Sequence, residues 1–261
     1  MSTDNVIIDY DLPDDINDVA KVDSIVSSVM PDAIIHAAAI ADLNESASNY
    51  KKNFDVNVCG TNNIAAAANK YKVPLHYIST CCAYGNNQPA TVKTSLEPTE
   101  NYAASKSAGE FIVRQYGNDY VIMRLPTMYG PGMRKELFIY QLIDAAFTSK
   151  IVSVYGDGRQ ARQYGYVADV ASRILWYVVN KKTGVYNLNS QESVSVRDII
   201  YEIQEITGKQ IRFKTAGGRK GEIFNQQIEP SLSGGFTTFR EGIIKTISWY
   251  CKQNGAKYTN G

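Results

Sequence analysis

The strongest constraint on the fold is a rhythm. Short apolar runs rich in Val and Ile alternate with longer stretches of helical periodicity: "NVIIDYDL", "DVAKVDSIVSSVM", "DAIIHAAA", a helix through "NYKKNFDVNVCGTNNIAAAANKY", "PLHYIST", a helix that carries Tyr102, and "DYVIMRLP". The short runs are apolar nearly throughout rather than at every second residue, as strands are when both faces of a sheet are covered. Their alternation with helices predicts an α/β fold with a parallel sheet and right-handed crossovers. After the turn "MYGPGM" the rhythm loosens into a helix near Leu137 to Ser149, a short strand "IVSVYG", a helix from about Asp169, "GVYNLNS", a helix from Val196, "QIRFKT" and a final helix in "EGIIKTISWYCKQNG". Residues 1–130 are thus predicted as the sheet domain. Residues 131–261 are expected to form mainly a smaller mixed lobe at the C-terminal ends of the strands, where open α/β sheets bind ligands.

A chain of 261 residues, 44% hydrophobic and 20% charged, is long enough to bury such a core. Its 27 basic and 26 acidic residues leave a net charge of +1, so no overall field favours nucleic acid or an anionic membrane. An anionic ligand must then be held by local arginines, and the expected partner is a small molecule. Cys59, Cys81, Cys82 and Cys251 include an adjacent pair that is hard to bridge internally, with neither a C-x-x-C spacing nor a histidine cluster. They read as reduced intracellular thiols, and no metal site is expected. The start "MSTDNVIIDYDLPDD" is acidic, unlike a signal peptide, and no run reaches the roughly 18 to 20 apolar residues of a membrane span.

Chemistry concentrates in "STCCAYGNNQPATVKTSLEPTENYAASK", residues 79–106. Tyr102 and Lys106 are four apart, so on a helix they lie one above the other and the ammonium can make the phenol more acidic. Bringing a tyrosine from pKa near 10 to neutrality requires roughly 4 kcal/mol. The spacing alone fits a solvated helix face as well as a proton-transfer site. Thr80 closes the strand "PLHYIST" at the end that faces the ligand crevice of a parallel sheet, where its hydroxyl either caps the strand end or donates to a ligand oxygen.

Taken together, the motifs resemble those of the extended short-chain dehydrogenases/reductases that act on nucleotide sugars. "PDAIIHAAA" is similar to the family's strand ending in H-x-A-A, "NVCGTNN" to its N-V-x-G-T helix, and "STCCAYG" to the strand end with a hydroxyl before Y-G. "YAASKSAGE" resembles Y-x-x-S-K-x-x-x-E, and "RLPTMYGPG" resembles R-x-x-N-x-Y-G-P-G. Further on, "GDGRQARQYGYVADV", "GVYNLNS" and "REGIIKTISWY" match later segments of the pattern. The match spans nearly the whole chain.

This resemblance implies a Rossmann-like doubly wound parallel sheet with a smaller mixed α/β C-terminal substrate lobe. It further implies NAD or NADP as cofactor, a nucleotide-diphosphate sugar as substrate, cytoplasmic location, and a homodimer formed through the Tyr102 helix and its neighbour. Tyr102 would be the general acid/base, Lys106 its electrostatic partner and a ligand of the nicotinamide ribose, and Thr80 the hydroxyl that orients the reacting oxygen. Asn57 would support Lys106 through water. Asp11 and Leu12 would flank the adenine, and Ala37, Ala38 and Ala39 would let the dinucleotide approach the backbone. Cys81 and Thr127 would line the sugar, and Arg162 and Arg219 would hold the diphosphate and nucleotide. His36 reads as a packed strand-end histidine.

Departures narrow the reading. Cys81 and Cys82 stand where the dehydratase branch places an Asp-Glu pair, which argues against 4,6-dehydration. Thr127 stands where many members have Asn, and Asn189 where glycine is usual. No glycine precedes Gly60, so G-x-x-G-x-x-G is absent. "NVIIDYDL" is similar to the family's third strand, which implies a domain without its first β-α-β unit, either part of a longer protein or a shortened chain that binds its dinucleotide weakly or not at all. The resemblance thus points to an NAD(P)-dependent epimerase or 4-keto reductase. A non-catalytic nucleotide-sugar-binding or regulatory subunit, and an enzyme like the dehydrorhamnose reductases, stay open beside it.

Overall fold

A computed structural model of the chain describes residues 7–10, 15–117, 119–217 and 224–258. The chain gathers into two compact units, Met1–Ile78 with Glu100–Val121, and Ser79–Thr99 with Ile122–Gly261.

In the first unit the order is α1 (Val19–Val29), β1 (Ile34–His36), α2 (Leu43–Ser48), α3 (Tyr50–Phe54), a π-helical stretch Asp55–Gly60, α4 (Thr61–Tyr71), β2 (Leu75–Thr80), α5 (Asn101–Gln115) and β3 (Tyr120–Leu125), the last residues of β2 and β3 belonging to the second unit. β1 pairs with β2 in parallel, Ile35 opposite His76, and β3 follows β2 in the sheet. α1 starts where the Asp18 side chain accepts from Lys21 N–H, and stops at Met30, whose left-handed conformation ends the hydrogen-bond run. Its Val22 and Val26, one turn apart, pack with Ala67 of α4 and with Val73. α5 begins at the Glu100 carboxylate, which accepts from Tyr102 N–H and Ala103 N–H, both at 2.9 Å. Tyr102 is thereby held in the first turn.

Gly109 faces Tyr77 across this unit, and a Cβ there would collide with the Tyr77 hydroxyl. Gly109→Ala is therefore expected to destabilise the protein by about 1 to 3 kcal/mol in chemical denaturation, because overpacking in the core outweighs the better helix propensity of alanine.

The second unit contains the end of β3, then β4 (Thr127–Tyr129), α6 (Phe138–Thr148), β5 (Ile151–Tyr155), β6 (Ala161–Tyr166), α7 (Val167–Val179), β7 (Gly184–Asn187), β8 (Ser193–Ser195), α8 (Val196–Thr207), β9 (Arg212–Ala216) and α9 (Phe239–Asn254). β7 follows β3 in its sheet, β4 and β6 run parallel with β8 antiparallel beyond, and β5 pairs with β9 in parallel. α8 and α9 both open with capping boxes, Ser195 with Asp198 and Thr238 with Glu241. Their apolar faces, Ile199, Ile203, Ile243 and Ile247, close a core with Leu142, Ile143 and Val154.

One sequence expectation is corrected. The run "NVIIDYDL" forms no strand over its described residues 7–10, where Ile7 and Ile8 are 73% and 56% exposed. β-branched composition favours a strand only when the backbone finds a ladder partner. The short elements α2, β4 and β8 carry too few residues for a periodic signal, and β6, as long as β2 and β3, lacks their apolar run.

Candidate functional site

Within the first unit the Tyr102 helix presents a buried cation. Lys106 is 2% exposed, and its Nζ lies 4.1 Å from the centre of the Tyr77 ring. Burial pulls the Lys106 ammonium down to about 7, opposed in part by the charge of Glu110 one turn further along α5. Tyr102 is half-buried at the start of the same helix. Burial likewise raises the Tyr77 phenol well above its ordinary value, so Tyr77 stays neutral and supplies its ring face to the cation.

Asn57 sits in the π-helical stretch Asp55–Gly60, a local widening of the helix that frequently marks functional positions. Its Oδ1 accepts from Ile40 N–H (2.8 Å), and its Nδ2 donates to the Ile40 carbonyl and to Ser105 Oγ, both at 3.0 Å. The buried amide therefore ties the chain just after Ala39 to the residue just before Lys106. Ser105, which the sequence reading passed over, completes this link and donates in turn to the Tyr102 carbonyl (2.8 Å); its place in the quoted "YAASK" was the available signal. Ala37 and Ala38 are exposed and Ala39 half-buried beyond β1, and their methyl side chains leave the backbone open to a flat ligand. His36 is buried against Thr61 Oγ1 at 2.9 Å. Burial, then the Lys106 charge, push it down to about 3, so it is a neutral packed residue.

The second unit holds the other expected groups. Thr80 Oγ1 accepts from Cys82 N–H (3.1 Å), capping the tight turn Cys81–Tyr84, and the hydroxyl keeps its own proton for another acceptor. Cys81 is buried with its thiol directed to the Arg124 carbonyl, whereas Cys82 is half-buried. Thr127 opens β4 opposite Tyr164, and Arg162 lies on β6 opposite Val194. Both are half-buried, and among the described residues Arg162 has no ion-pair partner. Asn189 is buried, with Nδ2 on the carbonyls of Ser190 (2.9 Å) and Ile228 (2.7 Å). Asp11, Leu12 and Arg219 lie outside the described residues. Among the described residues no cluster of His, Cys, Asp and Glu could hold a metal ion, and no helix is long and apolar enough to cross a membrane.

The chain is 25% identical to a probable UDP-glucuronate 4-epimerase of Rhizobium meliloti, over 90% of its length and 79% of the relative's. Against the dTDP-glucose 4,6-dehydratase of Escherichia coli the identity is 29%, over 90% of this chain and 78% of that one. The crystal structure of Thermus thermophilus UDP-glucose 4-epimerase in complex with NAD superposes with a TM-score of 0.81 at 25% identity, covering 91% of this chain and 83% of that one. Residues 12–188 match the model of the NAD dependent epimerase/dehydratase family. That match covers more than half of the chain and makes it a member of the NAD dependent epimerase/dehydratase family.

Proposed function

We propose that this protein is an NAD(P)-dependent epimerase or 4-keto reductase acting on a nucleotide-diphosphate sugar. The observation that carries the reading is the buried Lys106 ammonium, one helical turn from Tyr102 and seated on the Tyr77 ring. A charge placed at that depth is expensive unless it has a use, and beside a tyrosine its use is to stabilise the phenolate. The residues fit the nicotinamide half of a dinucleotide: Lys106 would hold the ribose, and the open backbone at Ala37 to Ala39 would take the planar group.

A bound nicotinamide supplies the acceptor and donor of hydride at the sugar carbon. Tyr102 takes a proton from the sugar hydroxyl as the carbonyl forms, and returns it in the reverse direction. Thr80, whose oxygen is already fixed by Cys82 N–H, donates its free proton to the reacting oxygen. Asn57 holds the Lys106 end of α5 against the chain after Ala39. With thiols rather than carboxylates after Thr80, no acid/base pair stands there for eliminating water, which favours epimerisation or ketone reduction over 4,6-dehydration. Incubating the protein with NAD(H) or NADP(H) and a panel of nucleotide sugars and 4-keto sugars tests this. Conversion of at least one is expected; binding without conversion of any would instead support a non-catalytic sugar-nucleotide subunit.

Arg162 would grip the diphosphate, since a guanidinium fork that has no ion-pair partner among the described residues suits phosphate oxygens. Arg162→Ala should weaken binding of a nucleoside diphosphate sugar by about 1.5 to 3 kcal/mol and leave free-sugar binding unchanged, as read by calorimetric titration of both ligands. Equal losses for both would remove Arg162 from the nucleotide end. Phe54 on α3 and Phe111 on α5, 54% and 64% exposed, are apolar surface that a second copy would cover in a homodimer.

A further inference from the structure

We infer that Arg124 is a positioning residue that sets the Thr80 hydroxyl through the turn that follows it. Arg124 is the penultimate residue of β3 and is buried. Its carbonyl accepts from the Cys81 thiol (3.4 Å) and from Leu188 N–H (3.0 Å). Its guanidinium donates to Tyr84 Oη (2.7 Å) and lies 4.7 Å from the centre of the Tyr84 ring. One residue thus holds both the first and the last member of the turn Cys81–Tyr84. The bonds that orient Thr80 bridge these anchors to the residues flanking them: Cys82 N–H donates to Thr80 Oγ1, and Gly85 N–H donates to the Cys82 carbonyl, each at 3.1 Å.

The far side of the clamp is fixed as well. Because the Tyr84 oxygen receives a proton from Arg124, its own proton is directed to Asn187 Oδ1 at 2.7 Å. Asn187 in turn donates through Nδ2 to the Glu229 carbonyl (3.0 Å) and through its backbone N–H to Ser231 Oγ (2.8 Å). Tyr84 and Asn187 are both buried, so each bond acts where water does not compete. A short turn of four residues would otherwise be free to rotate Thr80 by small backbone changes. The charged donor at one end and the thiol contact at the other remove that freedom.

The role rests on the reading of Thr80 given above, and the test separates the two. Tyr84→Phe removes only the oxygen shared by Arg124 and Asn187 and keeps the buried ring. Amide hydrogen exchange followed by NMR should show Cys82 and Gly85 exchanging about tenfold faster in this variant, the loss expected for a hydrogen bond to a charged donor, while Ile199 and Ile203 of α8 are unchanged. Unchanged exchange at Cys82, or equal acceleration in α8, overturns the clamp whether or not turnover is seen. With a converted substrate, Tyr84→Phe should lower kcat about tenfold and leave KM within about twofold, and in a protein already carrying Thr80→Val it should cost nothing more. Penalties that simply multiply overturn the positioning role. Faster exchange at Cys82 with full activity in Thr80→Val would uphold the clamp and remove Thr80 from the chemistry.

Discussion

A Tyr102→Phe protein binds nucleotide sugar with close to parental affinity and converts it at no more than about one per cent of the parental rate at any pH. The substitution deletes only the phenolic oxygen that exchanges the proton. Ring packing at the start of α5 and the Glu100 cap on its first turn do not involve that oxygen. General acid/base groups contribute about a hundredfold to ten-thousandfold to rate, so a variant with no alternative proton carrier should fall to at most about one per cent of parental kcat. Paired titrations and progress curves with the same substrate check both halves of the expectation. Parental kcat in Tyr102→Phe would dismiss Tyr102 as the acid/base group.

Lys106→Met should abolish or severely reduce activity and at the same time stabilise the fold. Lys106 titrates near 7 in the folded protein, below the ordinary lysine value of 10.5, because burial disfavours its charge. Well below pH 7 the ammonium is present in both folded and unfolded chains, and its full desolvation penalty weighs on the fold. Between about 7 and 10.5 the folded protein releases a proton that the unfolded chain keeps, so parental stability climbs with pH. Above 10.5 both states are neutral and the penalty is gone. Replacing the ammonium by a thioether should therefore raise stability by on the order of 3 kcal/mol at pH 7, less what the contact with Tyr77 contributed, with the gain fading towards pH 10.5. Urea denaturation of both proteins across that range measures it. A Lys106→Met protein less stable than the parent at pH 7 would show that the cation is held by more favourable contacts than the Tyr77 ring.

The order of strands and helices was legible in the sequence because it depends on local pattern. Apolar runs at "PLHYIST" and "DYVIMRLP" became β2 and β3, and the helical periods around Val22, Tyr102 and Ile199 became α1, α5 and α8. The Tyr102 and Lys106 pair was equally visible, since four residues on a helix amount to one turn whatever surrounds them. Local pattern could not say whether an apolar run finds a ladder partner, and Ile7 and Ile8 remain outside any strand. Nor could it give depth. Lys106 reads in sequence as a long surface cation, and only the packing of α5 against β2 puts it on the Tyr77 ring and brings its titration to neutrality. The bonds that hold Asn57 to Ile40 and Ser105, and Arg124 to Cys81 and Tyr84, join residues far apart in the chain. Composition and spacing thus determine which groups are present and on which element. Their burial, partners and protonation follow from long-range packing, because desolvation and hydrogen-bond geometry exist only once the chain has closed on itself.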